Sequence, residues 1–367
     1  MRVGYSYLDR QFSDIESYLD DIRLLVGSGD FTLGSAVGEF EERFADVCGL
    51  PYAVGVGSGT DALILSLKIM GIGPGDEVIT TPNTFVATVG AIAMTGARPV
   101  FVDNDDVYTI DSTLIEDAIN PATKAILPVH LSGHPADMPA IMEIADRHDL
   151  LVIEDAAQAI LATIDGEPVG TWGETAAFSL HPLKNLNVWG DGGVIATRSK
   201  ETYDKLRLFR NHGLSSRDDV EIFGLNSRLD SLQAVVGNRL IDEVYEITDQ
   251  RIANAQELDR GLSDLGENVV IPPRKENVKQ VYHTYVIQVK NRDALLGHLL
   301  ENGVDAKVHY PVPLHLQPAA KYLGYKAGDF PVCEEHCRNI ISLPAHQHLT
   351  PDEIEYMIDR VREFYLG

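Results

Sequence analysis

Cysteine is scarce in this sequence, since its 367 residues include only Cys48, Cys333 and Cys337. An odd number of cysteines without a CxxC pair supports neither a disulfide framework nor a zinc site, so we predict no bound metal. A reducing, cytoplasmic location is therefore expected. The sequence also lacks an apolar run of the roughly 18 residues that a membrane span needs, and residues 1–7 do not resemble a secretion signal.

Basic residues are also few, because 30 lysines and arginines stand against 55 aspartates and glutamates, a formal net charge of -25. This charge repels phosphate backbones and anionic lipids, so neither nucleic acid nor a membrane is an expected partner. No acidic run is long enough to form an interaction tail, which favours solubility as the role of the acidity. Hydrophobic content of 44% and charged content of 23% are typical of a globular protein with a large core.

Between about residues 35 and 200, amphipathic helical patterns alternate with short apolar segments, which is typical of βαβ units and a parallel sheet. Predicted helices include residues 62–70 and 138–147. The predicted strands are residues 77–80, 99–103, 125–129, 150–154, 176–180 and 194–197. The sequence therefore predicts an α/β domain of three layers around a mostly parallel sheet.

After about residue 242 the pattern changes to a smaller α+β arrangement. It comprises a long polar helix at 242–265, a strand at 284–289, and helices at 292–302 and 351–365. Because single cores rarely exceed ~250–300 residues, we predict a large domain at 1–242 and a small C-terminal domain at 243–367. The segment 308–323 is dense in histidine, tyrosine and proline, which predicts a binding loop.

A run of small residues, Gly55–Asp61, precedes the predicted helix 62–70. Such a turn lets backbone N–H groups approach an anion at a helix N-terminus, where the helix dipole also favours negative charge. The alternative is an ordinary tight turn in which Thr60 is the N-cap.

The predicted strand 150–154 runs directly into Asp155. Ligands of open α/β sheets lie beyond the carboxyl ends of the strands, so Asp155 is placed to face a ligand, while Glu154 projects to the opposite side. A carboxylate there can keep a pyridine nitrogen protonated, which makes the ring an electron sink. The alternative is that Asp155 caps the next helix.

Lys184 lies between two predicted strands, in a loop that contains Pro182 and the glycine-rich segment 190–193. Removal of this amine from water would lower its pKa toward the nucleophilic free form. The alternative is an ordinary surface lysine.

An anion-binding turn, a strand-end aspartate and a loop lysine occur here in the order expected of a fold type I pyridoxal phosphate (PLP) enzyme. The chain resembles the sugar aminotransferases named after DegT, DnrJ, EryC and StrS, which share the aspartate aminotransferase fold. The resemblance covers nearly the whole chain. It rests on the segments Gly57–Leu63, Thr84–Thr88, Glu154–Ala159, Ser179–Lys184, Gly190–Gly193, Arg210–Gly213 and Asn226–Asp230.

The resemblance implies that Lys184 forms the Schiff base with PLP and shuttles protons, while Asp155 holds the pyridine nitrogen. It also implies a phosphate site formed by the amides of Gly59 and Thr60 and the hydroxyl of Ser179. Phe85 would stack on the pyridine face, with core packing as the alternative, and Gln158 would bind the ring hydroxyl.

The resemblance also implies a homodimer with shared active sites. Asn226 would cross the interface to the partner's cofactor phosphate, with Arg228 close behind. His309, Tyr310 and His181 would lie near the sugar, although a structural role for His309 stays open.

The implied reaction moves an amino group from an amino acid, expected to be glutamate, to a keto or aldehyde sugar. A nucleotide-linked keto-hexose used for lipopolysaccharide, another cell-surface polysaccharide or a glycoside is the leading acceptor. The variant loop 181–189 also resembles the branch that aminates an eight-carbon keto-sugar acid. Two further alternatives are a PLP-dependent sugar dehydratase and a PLP-binding regulator without turnover. In the sugar dehydratases of this fold a histidine stands in place of Lys184. The extra DNA-binding segment expected of a regulator is missing here.

Overall fold

The computed structural model describes residues 1–367. Helices and strands alternate in the first two thirds of the chain. The α-helices are α1 Leu8–Gln11, α2 Ile15–Ser28, α3 Ser35–Cys48, α4 Gly59–Ile69, α5 Val86–Thr95, α6 Ile115–Ala118, α7 Met138–His148, α8 Lys200–Phe209, α9 Ser231–Leu240, α10 Val244–Leu262, α11 Arg292–Glu301, α12 Pro331–Asn339 and α13 Pro351–Leu366. The strands are β1 Tyr52–Val56, β2 Glu77–Thr80, β3 Arg98–Phe101, β4 Thr123–Ile126, β5 Leu151–Asp155, β6 Thr163–Ile164, β7 Glu167–Pro168, β8 Thr175–Ser179, β9 Gly193–Thr197, β10 Val269–Val270, β11 Val278–Lys279, β12 Tyr285–Val289 and β13 Ile340–Leu343.

A seven-stranded sheet in the order β1-β9-β8-β5-β4-β2-β3 forms the centre of the molecule. Strands β3, β2, β4, β5 and β8 are parallel to one another, whereas β9 is antiparallel to both β1 and β8. The predicted α/β class with a mostly parallel sheet is confirmed. Because β9 is reversed, the chain segment between β8 and β9 begins and ends at the same edge of the sheet as the carboxyl ends of β2, β4 and β5.

Strand β1 was not predicted, and it changes the description of the glycine-rich turn. Gly55 and Val56 belong to this strand, and α4 already begins at Gly59, so only Gly57 and Ser58 form the turn. The register pairs Val54 with Ile195 and Val56 with Gly193. Residues 52–56 form a strand because they pair with β9, which lies about 140 residues later in the chain. The local sequence does not indicate such a distant partner.

The helices bury apolar side chains against the central sheet. Val37, Phe40 and Phe44 of α3 are buried against α9 and one face of the sheet. On the other face, α4 buries Leu63, Leu65 and Leu67. The sheet is therefore covered on both sides, as a parallel sheet requires.

The C-terminal part contains the antiparallel sheet β10-β12-β13 with α10, α11 and α13 packed around it. The first residues of the chain also pack here, since Val3 pairs with Val304 and is fully buried in the same core. The division at residue 242 stays a prediction. It falls in a 3-10 turn, Ile241–Glu243, directly before α10.

None of the helices is both long and apolar enough to cross a membrane. All three cysteines are free and buried.

Candidate active site

A cavity of about 510 Å³ lies at the carboxyl ends of the parallel strands, between the large sheet and the C-terminal part. Most of the predicted site residues line it. They are Gly59, Thr60, Phe85, Asp155, Gln158, Ser179, His181, Lys184, His309 and Tyr310. Asn226 and Arg228 do not line the cavity of their own chain.

The N-terminus of α4 forms one end of this cavity. Ser58 is the N-cap, because its Oγ accepts the amide hydrogen of Asp61 at 3.1 Å, so the alternative with Thr60 as the cap is wrong. The amides of Gly59 and Thr60 stand in the first turn, where a helix offers no acceptor. A Cβ at Gly59 would lie 2.8 Å from Ser179 Cβ, so only glycine leaves this space open. These groups fit a phosphate.

Asp155 ends β5 and is buried at the cavity. Its Oδ2 accepts the hydroxyl hydrogen of Thr88 at 2.7 Å, and its Oδ1 accepts the amide of Ala157 at 3.2 Å. Burial raises the pKa of the Asp155 carboxyl, while the bonds from Thr88 and Ala157 and the nearby Lys184 counteract the shift. No helix begins at Asp155, so the helix-cap alternative is wrong.

Glu154 points to the opposite side of the strand, as predicted from strand alternation. Its carboxylate is fully buried and accepts the amides of Gly170, Trp172 and Gly173 at 2.7, 2.9 and 2.9 Å. His130 Nε2 lies 3.1 Å from the same carboxylate. These four partners fix the end of β5 and thereby the position of the neighbouring Asp155.

Lys184 lies in the loop that joins β8 to β9. The loop is closed by the bond from Leu180 N to Gly192 O at 2.9 Å. The carbonyl of Lys184 accepts hydrogen bonds from the Tyr7 hydroxyl at 3.1 Å and from Asn187 Nδ2 at 2.9 Å. Burial lowers the pKa of the Lys184 amine to about 8, although the nearby carboxylate of Asp155 opposes this shift. Lys184 is therefore not an ordinary surface lysine, and much of its amine is unprotonated near pH 8.

Gly59, Asp155, Ser179 and Lys184 are called the cavity floor below. They come from the ends of two neighbouring strands, from the start of one helix and from the loop between β8 and β9. Together they offer amides for a phosphate, a carboxylate for a ring nitrogen and an amine for an aldehyde. These groups fit PLP.

Phe85 and Gln158 border the cavity floor. Phe85 is 51% exposed, so it is not packed in the core, and its ring centre lies 6.0 Å from that of Tyr310. Gln158 Oε1 accepts the amide of Ser132 at 2.7 Å, which leaves the side-chain nitrogen of Gln158 free to donate. Both arrangements fit the contacts predicted with a flat ring that carries a hydroxyl.

His309 and Tyr310 bring the predicted binding loop to the cavity. His309 Nδ1 is hydrogen-bonded to Ser342 Oγ at 2.9 Å. Burial, with Lys184 as a further contribution, lowers the pKa of His309 to about 4, so this ring is neutral at physiological pH. His181 is exposed at the cavity rim.

Asn226 and Arg228 lie on either side of Ser227, which is buried. Ser227 Oγ accepts the amide of Gly57 at 3.2 Å and donates to Asp61 at 2.7 Å, so Ser227 supports the turn before α4 of its own chain. Asn226 is exposed, and Arg228 Nη1 donates to the Asn211 side chain at 3.0 Å.

Several cavity residues were not singled out from the sequence, and five of them have aromatic or basic side chains. These five are called the cavity wall below: Tyr5, Tyr7, Arg251, His283 and His346. The N-terminal segment supplies the two tyrosines, and the C-terminal part supplies the others. The spacing of Tyr5 and Tyr7 by two residues was the only local signal, since it directs alternate side chains of an extended segment to one side.

The chain is similar to known proteins over almost its whole length. The sequence model of the DegT/DnrJ/EryC1/StrS aminotransferase family matches residues 13–362. A pleiotropic regulatory protein of Geobacillus stearothermophilus is 42% identical over 96% of this chain and 94% of its own length. A dTDP-3-amino-3,4,6-trideoxy-alpha-D-glucose transaminase of Streptomyces venezuelae is 41% identical over 99% of this chain and 96% of its own.

A crystal structure of S. venezuelae DesV in complex with a ketimine intermediate is 40% identical and covers 100% of this chain and 99% of that one, with a TM-score of 0.97. The predicted fold type I architecture is therefore confirmed. Because the family model and these relatives extend over almost the whole length, the chain belongs to the DegT/DnrJ/EryC1/StrS aminotransferase family.

Proposed function

We propose that this chain transfers the amino group of glutamate to the keto carbon of a nucleotide-linked hexose. The reaction class follows from the family, because the chain is a PLP-dependent sugar aminotransferase. One observation carries the assignment of the site. Lys184 and Asp155 line a single cavity together with the open N-terminus of α4.

When bound, PLP supplies an aldehyde that combines with amines and a ring that takes up an electron pair from the neighbouring carbon. In our proposal Lys184 holds the cofactor until the donor amine displaces it. Its Nζ would then move a proton from the α-carbon of the donor to the aldehyde carbon of the cofactor, and in the second half of the reaction from that carbon to the sugar carbon. Asp155 keeps a negative charge beside the ring nitrogen. Gly59, Thr60 and Ser179 hold the phosphate.

The lowered pKa of Lys184 supports this role, since a base with a pKa of about 8 can both accept and release a proton near neutral pH. Thr88 supports the role of Asp155, because its hydrogen bond to Oδ2 favours the ionised carboxyl and fixes its orientation. Lys184 also argues against a sugar dehydratase, in whose relatives a histidine stands at this position.

The nucleotide-linked acceptor is supported by the S. venezuelae relative, which is by name a transaminase of a dTDP-linked sugar. The eight-carbon keto-sugar acid remains a second candidate. It is favoured by the variant loop 181–189 and by a cavity arginine, Arg251, that has no carboxylate partner.

The test is a two-step assay on the purified holoenzyme. Glutamate alone should yield 2-oxoglutarate and convert the cofactor to its amine form, which changes the absorbance spectrum. Keto-hexoses linked to dTDP or UDP and the eight-carbon keto acid are then added separately, and the acceptor is the one that restores the spectrum and gains an amine by mass spectrometry. If glutamate yields no 2-oxoglutarate, it is not the donor. If no sugar restores the spectrum, the acceptor proposal fails.

We propose further that the protein is a homodimer in which Asn226 and Arg228 serve the partner's site. Ser227 faces its own chain, and neighbouring side chains of an extended segment point to opposite sides, which directs Asn226 and Arg228 outward. Close by, Phe223 is 98% exposed and Val220 is 54% exposed. Apolar side chains so exposed at a loop tip are typical of an interface.

Mixed dimers test this arrangement. Lys184→Ala subunits and subunits with both Asn226→Ala and Arg228→Ala should each be inactive, yet mixing them should restore activity. One of the two sites in each mixed dimer then contains only intact residues. Absence of recovery, with subunit exchange demonstrated by native mass spectrometry, would show that these residues act within their own chain.

A further inference from the structure

Arg251 on α10 is a buried cation of the cavity wall. It is 2% exposed and lines the cavity. Its Nη2 donates to the Tyr7 hydroxyl at 2.8 Å, and its Nε donates to Gln347 Oε1 at 3.0 Å. Its Nη1 donates to the carbonyls of Tyr282 and His283 at 3.2 and 3.3 Å. All four acceptors are neutral, so the positive charge of Arg251 is solvated by dipoles but not neutralised.

The other buried arginine of the chain has a counter-ion. Arg210 is paired with Glu41. A buried charge without a counter-ion is costly in a protein interior. In a chain with 55 acidic residues, the lack of a carboxylate beside Arg251 leaves room for one from a ligand.

The residues around Arg251 provide further hydrogen-bonding atoms without partners. The hydroxyl of Tyr5 and Nδ1 of His283 are buried and form no hydrogen bond. Both residues line the same cavity as Arg251. A tyrosine hydroxyl donates, and a neutral imidazole can donate from one ring nitrogen. Unsatisfied polar atoms of this kind indicate a ligand that supplies acceptors.

The carboxylates that line the cavity, Asp155 and Asp191, form no hydrogen bond with these donors. Burial and the positive charges of Lys184 and Arg251 lower the pKa of His283 well below its usual value, so His283 is neutral. The carboxylate of Asp155 is already bonded to Thr88 and Ala157. The phosphate site at Gly59 and Ser179 is formed by the large sheet and α4, whereas this group of donors belongs to the cavity wall.

We propose that Arg251, with Tyr5 and His283, forms a carboxylate-binding subsite of the cavity, separate from the phosphate site. The source of the carboxylate rests on the proposed function, in which glutamate carries two carboxylates and the eight-carbon keto acid carries one. Arg251 is then a specificity-determining residue. It keeps the carboxylate end of the substrate on the cavity wall, while the reacting amine or keto group meets Lys184.

The experiment measures binding without turnover. The holoenzyme, in which the cofactor fills the phosphate site, is titrated calorimetrically with glutarate, a dicarboxylate that has no amine, and with its neutral diamide. Wild type should bind glutarate at least about tenfold more tightly than the diamide, since hydrogen bonds to charged groups are the stronger ones. Equal affinity for the two compounds overturns the proposal, and this comparison requires no variant.

Variants assign the preference to Arg251. Arg251→Gln should weaken glutarate binding at least about tenfold, and Arg251→Lys should recover part of it, because lysine retains the charge but not the planar fork. Arg274→Gln is the control, since it removes a guanidinium that does not line the cavity, and it should bind glutarate like wild type. Wild-type glutarate affinity in Arg251→Gln would refute the proposal.

Two further experiments distinguish which substrate supplies the carboxylate. If glutamate competes with glutarate and glucuronate does not, the subsite takes the amino donor, and Arg251→Gln should raise the KM for glutamate while leaving the half-reaction with the sugar unchanged. If glucuronate competes with glutarate and glutamate does not, the subsite takes an acidic sugar. Arg251-dependent binding without any amino transfer from glutamate would retain the subsite and reject the proposed function.

Discussion

The cavity floor and the cavity wall are built in different ways. The residues of the floor lie within a span of 126 positions, from Gly59 to Lys184, and each follows or precedes a strand of one sheet. The wall joins residues such as Tyr7 and Arg251, which are 244 positions apart. The floor carries groups suited to a cofactor, and the wall carries groups suited to a substrate. The part that is common to a reaction class is therefore local in sequence, while the part that selects the substrate is assembled from distant segments.

The strongest test of the floor is Lys184→Ala. We expect turnover to fall by about 10⁴-fold or more, because one residue supplies both the attachment of the cofactor and the proton transfer. The phosphate site and Asp155 remain, so the variant should still bind PLP. Activity is measured by 2-oxoglutarate formation and cofactor content by absorbance. Lys124→Ala, at an exposed lysine, is the control, and near-wild-type turnover in Lys184→Ala would remove this residue from the mechanism.

The second test is the pH dependence with which the apoprotein captures PLP covalently. Only the unprotonated amine reacts, so the rate should be level above the pKa of Lys184 of about 8 and fall about tenfold per pH unit below it. The rate is followed by absorbance, and borohydride reduction with peptide mapping identifies the lysine. A midpoint near 10.5, the ordinary value for lysine, would show that burial does not shift this amine.

The wall is tested by Tyr7→Phe. The Tyr7 hydroxyl accepts from Arg251 and donates to the carbonyl of Lys184, so its removal takes one hydrogen bond away from each of these two buried groups. We expect the free energy of unfolding to fall by about 1–3 kcal/mol, measured by denaturant titration. The control Tyr356→Phe removes one bond, to the carbonyl of Asn302, and should cost less. Equal losses of unfolding free energy in the two variants would mean that the hydrogen bonds of Tyr7 stabilise the protein no more than the single bond of Tyr356.

The smallest effect is expected for Thr88→Val, which nearly preserves the side-chain volume. It removes the hydrogen bond to Asp155 Oδ2, so the pKa of Asp155 should rise further. Since the ionised carboxyl is the active form, the acid limb of the activity profile should move to higher pH, with less than about tenfold loss at its plateau. Thr88→Ser should restore the wild-type profile. An unchanged acid limb in Thr88→Val would show that Thr88 does not affect the pKa of Asp155.

The sequence predicted the central sheet well because each strand there is a short apolar run bounded by turn residues. The limits of β2 coincide with the prediction, and those of β5 differ by one residue at each end. Strand β1 was missed because its partner β9 lies far away in the chain. The small sheet β11-β6-β7 has only two residues in each strand, too few for any periodicity to be recognised.

The candidate site likewise contains residues that could be predicted from the sequence and residues that could not. Asp155 and Lys184 could be predicted because a strand end or a glycine-rich loop surrounds them. Thr88 lay within a matched segment, but its bond to Asp155 depends on how α5 packs beside β5. The local sequence does not distinguish Arg251 from the other arginines of a polar helix. Its proposed role depends on the absence of a neighbouring carboxylate, which is visible only in the folded structure.

The position of the first residues of the chain has a consequence for synthesis on the ribosome. Val3 pairs with Val304, Tyr7 bonds to Arg251, and Arg10 bonds to Glu353 at 2.8 Å. Domains fold as the chain emerges, so the central sheet can form while these first residues still have no partner. Glu353 lies in α13, so residues 3–10 are fixed only after α13 has been made. A chain whose synthesis stops before α13 can carry the cavity floor, yet it lacks the carboxylate that anchors residues 3–10, so the wall is completed only once α13 is present.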